Sequence, residues 1–160
     1  MTGNARCLIA WPTGRASRSV SACWTAGRGG QTLEQKWENG PRAYLGLCSE
    51  GFPNLFMLYG PNTNLGHNSI IVMIESQVGY LVEAMKALKR RGAKAMSVKD
   101  EAFRKFNAEL QDDLTRTAWA GSCSSWYKTA SGKITNNWGG DTATYIRLMK
   151  APVLADYEVA

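Results

Sequence analysis

The fold is decided between residues 52 and 71, where the sequence reads FPNLFMLYGPNTNLGHNSII. Within this stretch the run LFMLY, at 55–59, is almost wholly apolar, and it is bounded by Pro53 before it and by Gly60 and Pro61 after it. A short apolar run between turn residues is typical of a strand that is covered on both faces, as in a parallel sheet. The stretch therefore predicts a buried strand that runs into a tight turn.

A long helix is predicted directly after this turn. Apolar residues recur at helical spacing at positions 70, 74, 78, 81, 85 and 88, with 71 and 82 widening the stripe. The helix is expected to begin near 67–69 and to end at Arg91 and Gly92, because glycine commonly follows a helix C-terminus. The first N–H groups of a helix lack partners within it, so the turn suits an electron-rich or anionic ligand. An ordinary strand-to-helix connection has the same local features.

Weaker patterns complete an α/β organisation. Strands are predicted over 43–47, 93–98 and 144–149, where short apolar or β-branched runs lie between turn residues. A second amphipathic helix is predicted after a capping box that starts at Ser97. Its apolar face is expected to carry Phe103, Phe106, Leu110 and Leu114.

The composition is that of a globular protein with a basic excess, at 44% hydrophobic residues, 20% charged residues and a net charge of +6. No apolar stretch is long enough to span a bilayer. The four cysteines are far apart and there is one histidine, which argues against a zinc site and a disulfide framework and favours a reducing, cytoplasmic setting. Basic residues cluster in 1–30 and at 86–91, but no nucleic-acid-binding motif accompanies them.

Four stretches together resemble a known family. They are the central stretch 51–71, GGQTLEQKWENGPRAYLG at 29–46, CSSWY at 123–127 and WGGDTATY at 138–145. In this order and spacing they resemble the C-terminal part of the FAD-binding domain of flavin-dependent monooxygenases, above all the Baeyer–Villiger enzymes. The resemblance implies an α/β fold: an incomplete C-terminal portion of a Rossmann-like FAD/NAD(P)-binding domain, with one long helix after a buried strand.

The resemblance also implies an activity. Such enzymes use FAD and NADPH to insert one oxygen atom from O₂ into a ketone-like small molecule, or to oxidise nitrogen or sulfur. Because the flavin carries this chemistry, no catalytic side chain and no metal ligand are assigned. Related enzymes carry two G-x-G-x-x-G motifs and this sequence has none, so we expect a fragment that is inactive alone. The alternative is a non-catalytic basic module that binds an acidic partner or nucleic acid.

Six residues are implied to bind cofactors. The FAD ring is expected to meet the turn, mainly through backbone N–H groups at the helix start, at Asn64, Leu65, Gly66, His67 and Asn68. For His67, a role as a simple helix cap or packing residue is favoured over a chemical role. Trp126 is implied to contact NADPH, with packing in the core as the alternative.

The chain is predicted to divide into three segments. Residues 27–149 are expected to be the C-terminal part of the FAD-binding monooxygenase domain. Residues 1–26 are rich in Arg, Ser, Ala and Cys and contain no acidic residue, so they are interpreted as a disordered or non-family segment. A transit peptide or a shifted reading frame would explain the same composition. Residues 150–160 are treated as a tail without assigned structure.

Overall fold

The computed structural model describes residues 27–66, 68–121 and 125–160, together with a strand at 6–9. Its elements in chain order are β1 (Arg6–Ile9), α1 (Leu33–Lys36), β2 (Leu55–Leu58), α2 (Ile70–Arg90), β3 (Met96–Val98), α3 (Asp100–Thr115), α4 (Thr142–Leu148) and β4 (Tyr157–Val159). Short 3-10 turns lie at Arg28–Gly30, Ala118–Ala120 and Leu154–Asp156. This mixture confirms the α/β class. In the described part of the chain, no helix combines the length and the hydropathy that crossing a membrane requires.

The first sheet is the parallel pair of β1 and β2, in which Arg6 lies opposite Leu55 and Ile9 opposite Leu58. All four residues of β2 are buried, as expected for an apolar strand that is covered on both faces. The predicted strand is therefore confirmed. Strand β1 lies within the segment 1–26, where the sequence predicts none; the rest of that segment lies outside the described residues, and the domain boundary there stays a prediction.

Helix α2 begins and ends where the sequence predicts. Ser69 is its N-cap, and the Ser69 hydroxyl accepts the backbone N–H of Ile71 at 3.2 Å. After the helix, Gly92 adopts φ of 63°, a left-handed conformation that favours glycine. The N–H of Ala93 then donates to the carbonyl oxygen of Leu88 at 3.0 Å. A local cap thus defines each end of the helix.

The face by which α2 packs differs from the predicted apolar stripe. Stripe residues such as Ile71 and Met85 are 55% and 52% exposed. The cause is the polar Gln77, which is fully buried because its Oε1 accepts the N–H of Tyr59 at 2.8 Å and its Nε2 donates to the hydroxyl of Tyr145 at 2.7 Å. The buried positions of the helix are Met73, Gln77, Tyr80, Leu81, Ala84 and Ala87.

The C-terminal residues form the second sheet, although the sequence predicts no structure there. Strand β4 pairs antiparallel with β3, and its Tyr157 is buried. Helix α3 buries Phe103, Leu110 and Leu114, as predicted. Its N-cap is Lys99, which makes no side-chain cap bond. The predicted capping box is therefore wrong, because Ser97 lies in β3 opposite Glu158.

Two further predicted strands are also wrong. Residues 144–149 largely belong to α4, because Asp141 caps this helix by accepting the backbone N–H of Thr144 at 2.7 Å. This local cap outweighs the β-propensity of the threonine, tyrosine and isoleucine in the segment. Residues 43–47 form a chain reversal in which Leu45 and Gly46 have φ of 56° and 71°. A strand cannot accommodate two successive residues in that conformation.

Candidate functional site

The candidate site is the connection between β2 and α2, residues 59–69, which we name the β2–α2 turn. Its backbone curves sharply, with φ of 55° at Tyr59 and 58° at Asn62. The hydroxyl of Thr63 donates to the carbonyl oxygen of Gly60 at 2.6 Å. A side chain at Gly60 would overlap the carbonyl oxygen of Gly46. The turn therefore packs directly against the chain reversal at residues 43–47.

An extended segment at 134–138 lies alongside the first half of the turn. The N–H of Asn64 donates to the carbonyl oxygen of Asn136 at 2.9 Å, and the N–H of Trp138 returns a bond to the carbonyl oxygen of Asn64 at 2.9 Å. These two bonds form a parallel bridge between Asn64 and Asn137. The pairing holds the turn as a neighbouring strand would.

Side-chain hydrogen bonds reinforce this pairing. Asn62 Nδ2 donates to the carbonyl oxygens of Ile134 and Asn137, at 2.9 and 3.0 Å. The hydroxyl of Tyr59 donates to Asn64 Oδ1. Asn64 Nδ2 in turn donates to Asn137 Oδ1 at 2.9 Å. The first half of the turn is therefore fixed by bonds to residues that lie far away in sequence.

The second half of the turn contains Leu65 and Gly66, two of the predicted FAD contacts. Leu65 is buried, and Gly66 lies against the indole of Trp119, where an added Cβ would stand 2.5 Å from Cη2. Among the described residues, the N–H groups of Leu65 and Gly66 make no hydrogen bond. The site thus offers two free backbone donors just before a helix of 21 residues.

The end of the turn contains the remaining predicted FAD contacts, His67 and Asn68. Asn68 Oδ1 accepts the N–H of Ser69 at 2.7 Å, and Asn68 Nδ2 donates to the hydroxyl of Thr142 at 3.1 Å. Its side chain therefore joins α4 to the start of α2. His67 lies outside the described residues, and its role stays a prediction.

Trp126, the predicted NADPH contact, is 68% exposed and is not a core residue. Its ring centroid lies 6.1 Å from that of Tyr127, which in turn lies 5.3 Å from that of Trp119. Both pairs are edge-to-face. Because Trp119 touches Gly66, this row of aromatic rings connects the exposed indole with the β2–α2 turn.

Sequence reasoning misses two residues of the site, Trp119 and Asn137. Each comes from a segment distant from the turn, and Asn64 and Asn137 are 73 positions apart. Neither has a local spacing that marks it as a partner of the turn. The six tryptophans of the sequence gave no basis for selecting position 119.

A second polar cluster is buried in the core, and it offers no reactive group. The hydroxyls of Tyr80 and Tyr157 are 2.6 Å apart, and Cys48 Sγ lies 3.8 Å from the Tyr157 hydroxyl. Tyr44 donates to Asp156 Oδ2 at 2.6 Å. Burial raises the pKa of the Cys48 thiol to about 12. The thiol is therefore neutral near pH 7, and a neutral thiol is a poor nucleophile.

Comparison with known proteins identifies relatives of most of the chain. No family model matches the sequence. The FAD-binding monooxygenase ktnD of Aspergillus niger is 42% identical over 156 residues, which cover 94% of this chain and 26% of that protein. A Baeyer-Villiger monooxygenase of Pseudomonas aeruginosa is 47% identical over 118 residues, which cover 72% of this chain and 22% of that protein.

Solved structures of monooxygenases share the fold. An oxidized steroid monooxygenase bound to NADP aligns with a TM-score of 0.73 and 28% identity, over 84% of this chain and 26% of its own length. A closed crystal structure of cyclohexanone monooxygenase aligns with a TM-score of 0.70 and 26% identity over the same shares. The chain belongs to the family of Baeyer–Villiger and related FAD-binding monooxygenases, and it spans about a quarter of the length of the relatives it matches.

Proposed function

We propose that this chain supplies the ring-facing part of an FAD- and NADPH-dependent monooxygenase that inserts one oxygen atom from O₂ into a carbonyl substrate, or oxidises nitrogen or sulfur. The observation that carries the proposal is the pair of N–H groups at Leu65 and Gly66, which make no hydrogen bond to any residue the structure describes and which lie in the turn that leads into α2. A helix N-terminus with free donors favours negative charge and electron-rich atoms. FAD, when bound, supplies the oxygen chemistry with electrons from NADPH.

The residues of the β2–α2 turn fit a flat ring. The indole of Trp119 occupies the space in which a side chain at Gly66 would lie, so Trp119 forms one wall of the turn and only glycine fits at this position. Leu65 is buried, and Asn64 is held by Tyr59 and Asn137. A rigid turn of this kind presents its donors in fixed positions without an ordering cost on binding.

The chain's own contribution is thus binding and orientation. Free N–H groups and the positive end of α2 would stabilise negative charge on a ring that gains electrons. The exposed Trp126 offers a flat face and an N–H donor to the nicotinamide cofactor, and it is linked to the turn through the rings of Tyr127 and Trp119.

This sequence lacks the motif that binds the pyrophosphate of a dinucleotide cofactor. It contains no G-x-G-x-x-G motif, which in dinucleotide-binding folds brings the pyrophosphate onto a helix N-terminus. We therefore expect the chain alone neither to retain FAD nor to oxidise NADPH. The proposed substrate is a ketone-like small molecule and the proposed setting is cytoplasmic.

A chimera tests the proposal. Residues 27–149 would replace the matching segment of the Pseudomonas aeruginosa relative, and bound FAD and ketone-dependent NADPH oxidation would be measured. Both are expected in the chimera. Gly66→Ala should lose FAD because its Cβ overlaps Trp119, whereas Gly79→Ala, whose Cβ meets nothing within 4 Å, should keep it. A chimera that folds by circular dichroism without FAD, or equal FAD content in the two variants, would contradict the proposal.

The alternative, a basic module that binds an acidic partner or nucleic acid, makes a different prediction. It requires salt-sensitive retention of the folded chain on a polyanion column. One of the basic side chains near the end of α2 already has an intramolecular partner, because Lys86 pairs with Glu83 at 2.8 Å. Elution of the folded chain without retention, even at low salt, would exclude this module.

A further inference from the structure

Helix α2 has an exposed apolar face on the side opposite to its packed one. The packed side lies against β2 and α4. The other side carries four apolar residues that are each 38% to 55% exposed, and we name them the α2 outer face: Ile71, Val78, Val82 and Met85. Their spacing of seven, four and three residues places them on one side of the helix. Isolated exposed apolar residues are ordinary, but a row of four along one helix indicates a surface that contacts another molecule.

The α2 outer face is symmetric about the middle of the helix. Because α2 runs from Ile70 to Arg90, Tyr80 is its middle residue, and Val78 and Val82 lie two positions to either side of it. A two-fold axis at this point would set two copies of α2 antiparallel. Val78 of each copy would then lie against Val82 of the other. A surface that matches itself in this way is what a two-fold symmetric dimer requires.

The charges beside the α2 outer face favour the same antiparallel arrangement. Glu75 lies in the first half of the helix, is exposed, and forms no ion pair within the described part of the chain. The last turns carry Lys86, Lys89 and Arg90. Glu75 stands about as far from the start of α2 as Lys86 does from its end, so the two-fold axis brings each beside the other across the interface. A parallel pair would instead set equal charges against each other.

Gly79 is an independent observation on the same side of the helix. It is exposed in the middle of α2, and an added Cβ there would meet nothing within 4 Å. Glycine is a poorer helix former than alanine, so the fold of a single chain gains nothing from it at this position. Gly79 adjoins Glu75 and Val82, each about one turn away. Its bare backbone leaves room for a second helix to come close.

We propose that two copies of this chain associate through the α2 outer face as an antiparallel pair of helices. A second copy fits this face because one two-fold operation matches both its apolar residues and its charges. Four half-exposed side chains offer much less than the roughly 800 Å² per partner that stable complexes bury. The dimer is therefore a weak one, with an expected dissociation constant of about 0.1 mM.

Sedimentation equilibrium of the full chain, at low salt and from about 10 μM to 1 mM, tests the proposal. The average mass should rise from that of one chain towards that of two and no further, because a two-fold interface is closed. Val82→Lys should stay monomeric. Val153→Lys is the matched control, since it adds the same charge at a valine that is 59% exposed and lies outside α2, and it should dimerise as the unmodified chain does.

Three results overturn the proposal. They are a mass of one chain at every concentration, growth beyond two chains, and equal behaviour of Val82→Lys and Val153→Lys when circular dichroism shows both to be folded. A chain that stays monomeric would leave the α2 outer face to a different partner.

Charge reversal distinguishes a specific antiparallel pair from a surface that is merely adhesive. Glu75→Lys and Lys86→Glu each set equal charges against one another twice in the dimer, so each should raise the dissociation constant at least about threefold. In the double variant the facing charges are opposite again, and the dissociation constant should return to within about twofold of the original. No weakening in the single variants, or additive weakening in the double variant, contradicts the arrangement.

These measurements involve neither flavin nor NADPH. Their outcome is therefore independent of the function proposed above, which the chimera tests through bound FAD and NADPH oxidation.

Discussion

Replacing Asn136 with leucine should stabilise the chain. Asn136 is 5% exposed, and neither its Nδ2 nor its Oδ1 has a partner among the described residues. Removing two idle polar atoms from the interior recovers about 1–3 kcal/mol each, and a misfit of leucine in the same space costs up to about 1.5 kcal/mol. Even at the lower end, two atoms at about 1 kcal/mol each less a misfit of about 1.5 kcal/mol, we expect a net gain of at least about 0.5 kcal/mol in the free energy of unfolding, or at least about 1–2 °C in Tm.

Urea unfolding followed by tryptophan fluorescence measures this change. The matched control is Asn107→Leu, at a buried asparagine whose Nδ2 makes two hydrogen bonds. It should lower the free energy of unfolding by about 1–2 kcal/mol, because it removes both of these bonds and takes a hydrogen-bond donor away from the Ala43 carbonyl. If Asn136→Leu destabilises the chain as much as Asn107→Leu does, then Asn136 has partners, such as an ordered internal water, and the reasoning from idle atoms is refuted.

Two further predictions concern the core. Gln77→Leu should lower the free energy of unfolding by about 2–4 kcal/mol, because it leaves the N–H of Tyr59 and the hydroxyl of Tyr145 each without one partner. Urea unfolding measures the change, and a loss below about 0.5 kcal/mol would count against these two hydrogen bonds as the reason for burying Gln77. Burial raises the pKa of Cys48 from 9.0 to about 12 and also raises that of Tyr80, so the unfolded chain releases these protons first as the pH rises. The free energy of unfolding should therefore fall between about pH 9 and 12, by up to about 1.4 kcal/mol per pH unit for each group. The fall should be less steep in Cys48→Ala, and a free energy of unfolding that stays constant up to about pH 11 would contradict the prediction.

The parts of the fold that the sequence predicts well are those set by neighbouring residues. Helix α2 is bounded by Ser69 and Gly92, each of which acts within a turn of the helix end. Strand β2 is predicted because its apolar run is continuous and lies between turn residues. In both cases the physical cause lies within a few positions of the effect.

Predictions fail where a distant or polar partner decides the outcome. The packing face of α2 depends on Gln77, a polar residue that an apolar pattern passes over, and its partners include Tyr145 from α4. The strand predicted at 144–149 fails because Asp141 caps a helix there. One hydrogen bond to a backbone N–H can therefore outweigh the summed propensity of several side chains.

The same division holds for the candidate site. Asn64, Leu65 and Gly66 are predicted as candidates because they are consecutive in one specific stretch of sequence. The partners that shape them, Trp119 and Asn137, reach the turn only through tertiary folding. Their contribution is visible only when the segments 118–120 and 134–138 are placed beside the turn.

The contact between Gly46 and Gly60 has a consequence for mutational tolerance. Neither residue has room for a methyl group, since Gly60 would strike the Gly46 carbonyl and Gly46 would strike the side chain of Thr63. The two glycines therefore pack the 43–47 reversal closely against the β2–α2 turn, and a larger residue at either glycine would displace both loops. In a saturation library selected for folding, both positions should return glycine in every surviving clone, while Gly79 should return almost any helix-forming residue.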